Sequence, residues 1–311
     1  MRILQVSSAR DIGGGETHVL QLVEALRGRG HEVSIAGRID GPLKPEFQFG
    51  FFHLRRLLKR ERFDIVHAHI ARDYPIVAAA ARGMPSLKVI FTRHLLYPVR
   101  RNLLYKRVDG WIAPTAQILE KLKPLKPKRS VVIPNWVDLQ KFPYLPHQFH
   151  RPITIGLLGQ ISPHKGHDDA IEALRQLGDG FRLLIAGKGE PDYERLLKKK
   201  SAGLPIEFSG FVSPPQFFEK VDILIAPSWE EPFGIVLLEA MASGIPVIAT
   251  NRGGPAEFVR GLLIPARDPG SLANAIRSLR PGDFVQEARE HVEKNFDIRK
   301  VIPRIEDFYR V

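Results

Sequence analysis

Two glutamates, Glu231 and Glu239, bracket the seven residues Pro232-Phe233-Gly234-Ile235-Val236-Leu237-Leu238. Pro232 suits the first turn of a helix, where its missing N–H would be unpaired, and Gly244 suits the end of that helix. The free N–H groups around Gly234, Ile235 and Val236 then form an anion site, and Gly234 lets a phosphate come close to the backbone. From Pro232 to Asn251 the only charged residue is Glu239, in an otherwise apolar or small-residue helix. A carboxylate so placed is rarely left without a partner. It lies about 7 Å along the axis from Gly234, which matches the distance from a diphosphate to ribose hydroxyls. A structural ion pair with an arginine is the alternative.

His67 and His69 alternate on one strand face, so a metal site with His94 is conceivable. No acid has ligand spacing with them, and packed histidines are the alternative. Asp168-Asp169 reads as a pair of acids favoured by the dipole at a helix start, not as a metal clamp. Gly187-Lys188-Gly189 lacks the third glycine of the dinucleotide fingerprint, as does the Gly13 region, and no Gly-x4-Gly-Lys-Ser/Thr loop occurs.

These residues need elements to hold them, and the chain supplies two series. Strand-like runs at Ile3 to Ser7, Glu32 to Ala36, Ile65 to Ala68, Lys88 to Thr92, Trp111 to Pro114 and Val131 to Pro134 alternate with helical patterns. A pause at Leu139 to Pro152, rich in proline and aperiodic, reads as a linker. The second series follows at Ile153 to Leu158, Arg182 to Ala186, Ile206 to Ser209, Ile223 to Ala226, Pro246 to Ala249 and Leu262 to Ile264. Strands alternating with helices mean parallel βαβ units, so the fold class is α/β with two doubly wound, Rossmann-like domains. Their expected bounds are 1–145 and 146–294, with a closing amphipathic helix over 295–311 that is expected to return to the first domain. Ligands bind at the carboxyl ends of such strands, and two domains facing each other are expected to make a cleft there. Gly13, His94, Gly159, Gly187 and Glu231 each follow a strand and fall at that end.

The 311 residues exceed what one core usually supports, and their composition is that of a folded globular chain. Without cysteine there are no disulfides, thiolate nucleophiles or cysteine-held zinc. The short apolar N-terminus reads as a strand and not a signal peptide, and no run is long enough to span a bilayer, so a cytoplasmic location is expected. Residues 1–150 hold 25 Lys/Arg against 12 Asp/Glu, and the remainder 21 against 22. The excess positive charge sits wholly in the first half, which suggests an anionic partner or simply solubility.

Glu231, Glu239 and the run Ala240-Met241-Ala242-Ser243-Gly244-Ile245-Pro246-Val247-Ile248-Ala249-Thr250 with Gly253-Gly254-Pro255-Ala256-Glu257 resemble the Glu-x7-Glu region of retaining GT-B glycosyltransferases of family four. The resemblance implies that Glu239 bonds the donor ribose, that Glu231 lies near the transferred sugar, and that Phe233, Gly234, Ile235 and Val236 hold sugar and phosphate through their backbone. Gly159-Gln160-Ile161-Ser162-Pro163-His164-Lys165-Gly166 is similar to the family's phosphate loop. There Lys165 would be the counter-charge of the leaving diphosphate, with Gln160 in place of the family's arginine. Gly187 resembles the strand-turn lining the base pocket, and Phe211 is a candidate second wall. Gly14 and Gly15 match the family's glycine loop in the first domain, and His94 matches a histidine near the transferred sugar. Asn135-Trp136-Val137-Asp138 resembles the family's Asn-Gly-Val-Asp turn, with Trp136 in place of glycine.

The implied activity is retaining transfer from a nucleoside diphosphate sugar, with no metal and no other cofactor, to a glycan or lipid acceptor. The acceptor is expected to be anionic or membrane-associated, met by peripheral binding at the inner face of the membrane through Leu54 to Arg60 and Leu96 to Arg107. The alternatives are a sugar-nucleotide epimerase of the same architecture, a basic nucleic-acid-binding protein and a non-catalytic nucleotide-sugar-binding module. The Glu-x7-Glu context argues against the first. Against the second stands the lack of stacking aromatics among the basic residues, so no nucleic-acid partner is expected.

Overall fold

The computed structural model describes residues 1–10, 13–145, 149 and 151–310. The chain divides into two compact units, Met1–Asn135 with Arg299–Val311, and Trp136–Ile298. The first holds a parallel sheet of seven strands: β1 (Arg2–Ser7), β2 (Glu32–Gly37), β3 (Phe47–Gln48), β4 (Ile65–Ala68), β5 (Lys88–Thr92), β6 (Gly110–Ala113) and β7 (Ser130–Val132). Their order across the sheet is β3-β2-β1-β4-β5-β6-β7. The second unit holds β8 (Ile153–Leu158), β9 (Phe181–Ala186), β10 (Ile206–Gly210), β11 (Ile223–Ala226), β12 (Val247–Thr250) and β13 (Leu262–Ile264), again parallel, in the order β10-β9-β8-β11-β12-β13. Both sheets start in the middle, wind outward and then reverse, so each has a topological switch point, β1 beside β4 and β8 beside β11.

The central strands are buried on both faces because helices cover both. Ile65–Ala68 and Val247–Thr250 are buried at every position, as parallel sheets require. In the second unit the helix Ile235–Ser243 is buried from Leu237 to Ser243.

The boundary between units falls at Asn135, ten residues ahead of the expected 145. The physical reason is that the start of the expected linker is already anchored. The Val137 N–H donates to the Phe296 carbonyl at 2.9 Å, the Ile298 N–H donates to the Val137 carbonyl at 3.0 Å, and Phe142 lies in the core of the second unit. Pro146 of that stretch lies outside the described residues.

From Arg299 onward the closing helix, Ile298–Arg310, belongs to the first unit. Glu306 anchors it there, accepting from Arg29 at 2.7 Å and meeting His31 Nε2 at 2.6 Å, with the carboxylate almost fully buried. Burial opposes the charge on Glu306, but the bonds from Arg29 and His31 hold its carboxyl below the usual range. Glu306→Ala should therefore lower the unfolding free energy by about 1–3 kcal/mol, read by chemical denaturation. An unchanged midpoint would show that the helix is held by its apolar face alone.

Candidate functional site

At the switch point of the second sheet a small pocket opens between the ends of β8 and β11. Leu157, Leu158 and Gly159 form one side of it, and Ile225 and Ala226 the other. Gln160, Lys165, Ser228, Glu231 and Val236 complete its lining. The sequence readings at Gly159, Gln160, Lys165, Glu231 and Val236 thus converge on one place.

Two loops bring the charged groups together. The turn Pro163–Lys165 packs on the segment after β11, where the Trp229 N–H donates to the His164 carbonyl at 2.8 Å. Gly166 lies so close to this segment that an added Cβ would stand 2.1 Å from the Pro227 carbonyl oxygen. Lys165 Nζ then reaches Glu231 Oε2 at 2.6 Å, and the Ser228 hydroxyl donates to the same oxygen at 3.3 Å. Asp169 helps to lock the arrangement by accepting from Trp229 Nε1 at 2.8 Å, while Arg267 covers the Trp229 ring at 4.1 Å. The neighbouring Asp168 accepts from Tyr193. These acids therefore act as struts between elements.

The helix after Glu231 begins later than Pro232 implies. Gly234 adopts φ +91° and caps it, so the regular turn starts at Ile235. A side chain at Gly234 would be strained by that φ and would meet Leu237 at 2.9 Å. Pro232 lies outside the helix, and its missing N–H ends no helical turn. The free N–H groups of the first turn belong to Ile235 and the residues after it. Gly244, at φ +81°, ends the helix as expected.

Glu239 is 9% exposed, and among the described residues no hydrogen-bond donor or cation meets its carboxylate. The arginine partner that its setting suggested is absent among those residues. Burial raises its pKa from the ordinary 4.5 to about 7.

Other expected residues fall differently. The Phe233 ring is in the core, stacked on Phe258 at 4.8 Å, so only its backbone is free to meet a ligand. Gly187 is required by packing: an added Cβ would stand 1.7 Å from the Gly159 carbonyl oxygen. Phe211 is 75% exposed and does not line the pocket. Ser228 and Trp229 were missed as site residues; they flank Glu231 in sequence, and that adjacency was the only signal for them.

In the first unit, Gly14 and Gly15 open the helix Gly14–Gly28, and the Gly13 N–H donates to Glu16 Oε2 at 2.9 Å. Asp11 and Ile12 lie outside the described residues. His94 follows β5 beside two other imidazoles, its Nε2 3.4 Å from His69 Nδ1 and its ring centroid 4.7 Å from that of His18. Burial, aided by Arg93, lowers its pKa to about 4, so the ring is neutral at ordinary pH. One ring nitrogen from each of His18, His69 and His94 lies within 4.8 Å of the other two. His67, which sequence made a conceivable member of such a cluster with packing as the alternative, instead bonds Tyr309 and Thr92.

Comparison with known proteins also divides the chain in two. Residues 12–141 match the family model described as Glycosyltransferase Family 4, and residues 152–280 that described as Glycosyl transferases group 1. The chain is 27% identical to a phosphatidyl-myo-inositol mannosyltransferase of Mycobacterium leprae, with 88% of this chain and 86% of that protein covered. It is 29% identical to the lipopolysaccharide core biosynthesis glycosyltransferase LpsE of Rhizobium meliloti, covering 90% and 88%. Among solved structures, Anabaena HepE in complex with UDP and glucose superposes with a TM-score of 0.87 at 21% identity, over 99% of both chains. The two parallel-sheet units form the GT-B fold.

The raised pKa of Glu239 has a measurable consequence. A carboxyl that favours its protonated form in the folded chain makes stability fall as pH rises from 4.5 to about 7 and keeps it lowered above. Glu239→Gln removes that loss. At about pH 8 the variant should exceed the wild type by on the order of 2–3 kcal/mol, and the difference should vanish near pH 4. Parallel pH profiles in thermal denaturation would contradict the burial argument.

Proposed function

We infer that this chain, which belongs to glycosyltransferase family 4 and is a sugar-transferring enzyme, takes its sugar from a nucleoside diphosphate donor seated at the β8–β11 switch point. The observation that carries this reading is the contact of Lys165 with Glu231 in the pocket, beside the first turn of Ile235–Ser243. A diphosphate there meets helix N–H groups and an ammonium, the two features that bind phosphate best. Its arrival takes Lys165 away from Glu231, because one ammonium serves the more highly charged partner. Glu231 is then free for the hydroxyls of the transferred sugar. The buried Glu239 gains the hydrogen-bond donors it lacks from the ribose hydroxyls. HepE binds UDP and glucose, which favours a uridine nucleotide as the first donor to test.

Transfer proceeds with retention and without a metal. As an acceptor hydroxyl oxygen bonds the anomeric carbon from the face that the diphosphate leaves, the bond to the β-phosphate oxygen breaks; its electron pair stays on that oxygen, where Lys165 and the N–H groups receive the charge and which takes up the acceptor's proton. Gln160 donates a hydrogen bond without adding charge, so Lys165 carries most of that stabilisation. His94, in the first unit, is the residue proposed to meet the transferred sugar. A thermal-shift panel of UDP-, GDP- and ADP-sugars should show one nucleotide series raising the melting temperature of the wild type but not of Glu239→Ala. Lys165→Ala should lower kcat by about 10²–10³, and EDTA should leave kcat unchanged. Inversion at the anomeric centre, or loss of activity in EDTA, would overturn this chemistry.

The acceptor is a glycan or lipid of anionic character met by the first unit. Helix Phe51–Glu61 buries Leu54, Leu57 and Leu58 and presents Arg56, Lys59 and Arg60 outward around Phe52, which is 82% exposed. The second expected stretch is not an α-helix; it is irregular chain with a bend at Leu96 and Tyr97, closing in a 3₁₀ turn, Leu103–Arg107, with Tyr97 and Leu103 exposed beside Arg100 and Arg101. Among the described residues no helix is long and apolar enough to cross a membrane, and binding at the surface of an anionic bilayer accords with these charges at about 1 kcal/mol per basic residue. Sedimentation with anionic vesicles should succeed at low salt and fail at high salt. Equal binding to neutral vesicles, or none to either, would favour a soluble acceptor.

A further inference from the structure

His94 is the last link of a buried hydrogen-bond chain that starts on the closing helix. Gln5 Nε2 donates to the Tyr309 hydroxyl at 3.3 Å, and Gln5 Oε1 lies 2.7 Å from His69 Nε2. With the amide in this orientation, Oε1 can only accept, so His69 carries its proton on Nε2. A neutral imidazole has one N–H, which leaves His69 Nδ1 as an acceptor. His94 Nε2, 3.4 Å away, must then be the donor. On the other branch the Tyr309 hydroxyl, accepting from Gln5, has its own proton for His67 Nδ1 at 2.6 Å. His67 therefore holds its proton on Nε2 and donates to Thr92 Oγ1 at 2.7 Å. In this orientation of the Gln5 amide all three imidazoles take the same tautomer, and each bond has one donor and one acceptor.

Tyr309 is fully buried, as are Gln5 and His67, and His69 is 5% exposed. Protonation cannot disturb the chain near neutral pH, since burial lowers His67 to about 3, drives His69 well down, and takes His94 to about 4. The chain has one other self-consistent state, in which the Gln5 amide is turned over and every proton moves to the opposite nitrogen. In that state His94 would be a donor at Nδ1.

We propose that Gln5, His69 and Tyr309 are positioning residues that fix His94 in the Nε2–H tautomer, so that its Nδ1 is presented to a sugar hydroxyl as a hydrogen-bond acceptor. The proposal rests on the reading of His94 as a residue that meets the transferred sugar. Among the described residues Nδ1 of His94 meets no hydrogen-bond partner, and it is the one atom of this chain left for a ligand. Tyr309, distant in sequence from every other member, makes the tautomer of His94 depend on the docking of the closing helix.

The test reads ring nitrogens directly. In ¹⁵N-labelled protein at pH 7, with signals assigned through His67→Gln, His69→Gln and His94→Gln, long-range ¹H–¹⁵N correlation should show His67, His69 and His94 neutral and protonated at Nε2. Tyr309→Phe removes one hydroxyl and leaves the ring, and it should turn His69 and His94 into mixtures of tautomers. Release of nucleoside diphosphate from the donor chosen by the thermal-shift panel should fall by roughly 3- to 10-fold. Gln5→Leu should give the same spectral signature by removing the acceptor of His69. A proton on Nδ1 of His94 in the wild type would overturn the proposal. So would unaltered tautomers in both variants, or stoichiometric zinc binding that abolishes the His69 and His94 N–H signals. Full activity of His94→Ala alongside the expected wild-type tautomers would overturn the reading of His94 instead, with the direction of the hydrogen bonds intact.

Discussion

Strands β8 and β11 are neighbours in the sheet, yet the chain leaves β8 towards β9 and leaves β11 towards β12, on opposite sides. Neither strand's outgoing connection crosses the gap between these ends, and the ladder that joins the two strands lies further back, at Ile223 with Ile155 and Leu224 with Gly156. Every group in the candidate donor site hangs from one of these two strand ends. Gly159 to Gly166 follow β8, and Ser228 to Val236 follow β11. Parallel winding also places the helix that follows β11 with its N-terminus at that end of the sheet, so an anion site arises without any residue selected for charge. The first sheet repeats the arrangement, and there β1, β4 and β5 bring Gln5, His67, His69 and His94 together.

Electrostatics then divides the two acidic residues of the signature. Glu231 sits at the pocket with an ammonium 2.6 Å away, a charge already neutralised and available for exchange. Glu239 is withdrawn from water and among the described residues meets no donor, so its charged form is unfavourable. In the proposed donor complex the first carboxylate would give up its partner and the second would gain one, and a single ligand with a diphosphate and a diol would do both. Functional sites commonly carry such unsatisfied groups.

Much of this was legible in the chain. The bounds of β4, β5, β8, β11 and β13 follow from short apolar runs, because strands buried on both faces leave no ambiguity about where polarity resumes. The two-residue β3 was missed, since an edge pairing of Phe47 and Gln48 has no period to read. The helix start was placed too early because Pro232 is a common first-turn residue, whereas a left-handed Gly234 intervenes. Glu239 stood out as a lone charge in an apolar helix, and its isolation is what the fold preserves. The Lys165–Glu231 contact was not legible, because it joins residues 66 positions apart through the packing of two loops. The tie from Tyr309 to His67 spans 242 positions and depends on where the closing helix docks, which amphipathic spacing does not specify.

The central claim is that a donor diphosphate and Glu231 compete for Lys165, and the affinity of UDP for four proteins tests it most directly. Calorimetric titration of wild type, Glu231→Gln, Lys165→Ala and the double variant should show tighter binding for Glu231→Gln and weaker binding for Lys165→Ala. The double variant should match Lys165→Ala alone, because without the ammonium there is nothing to compete for. Unchanged or weakened UDP binding by Glu231→Gln, with Lys165 intact, would contradict the exchange and the placement of the diphosphate at this pocket.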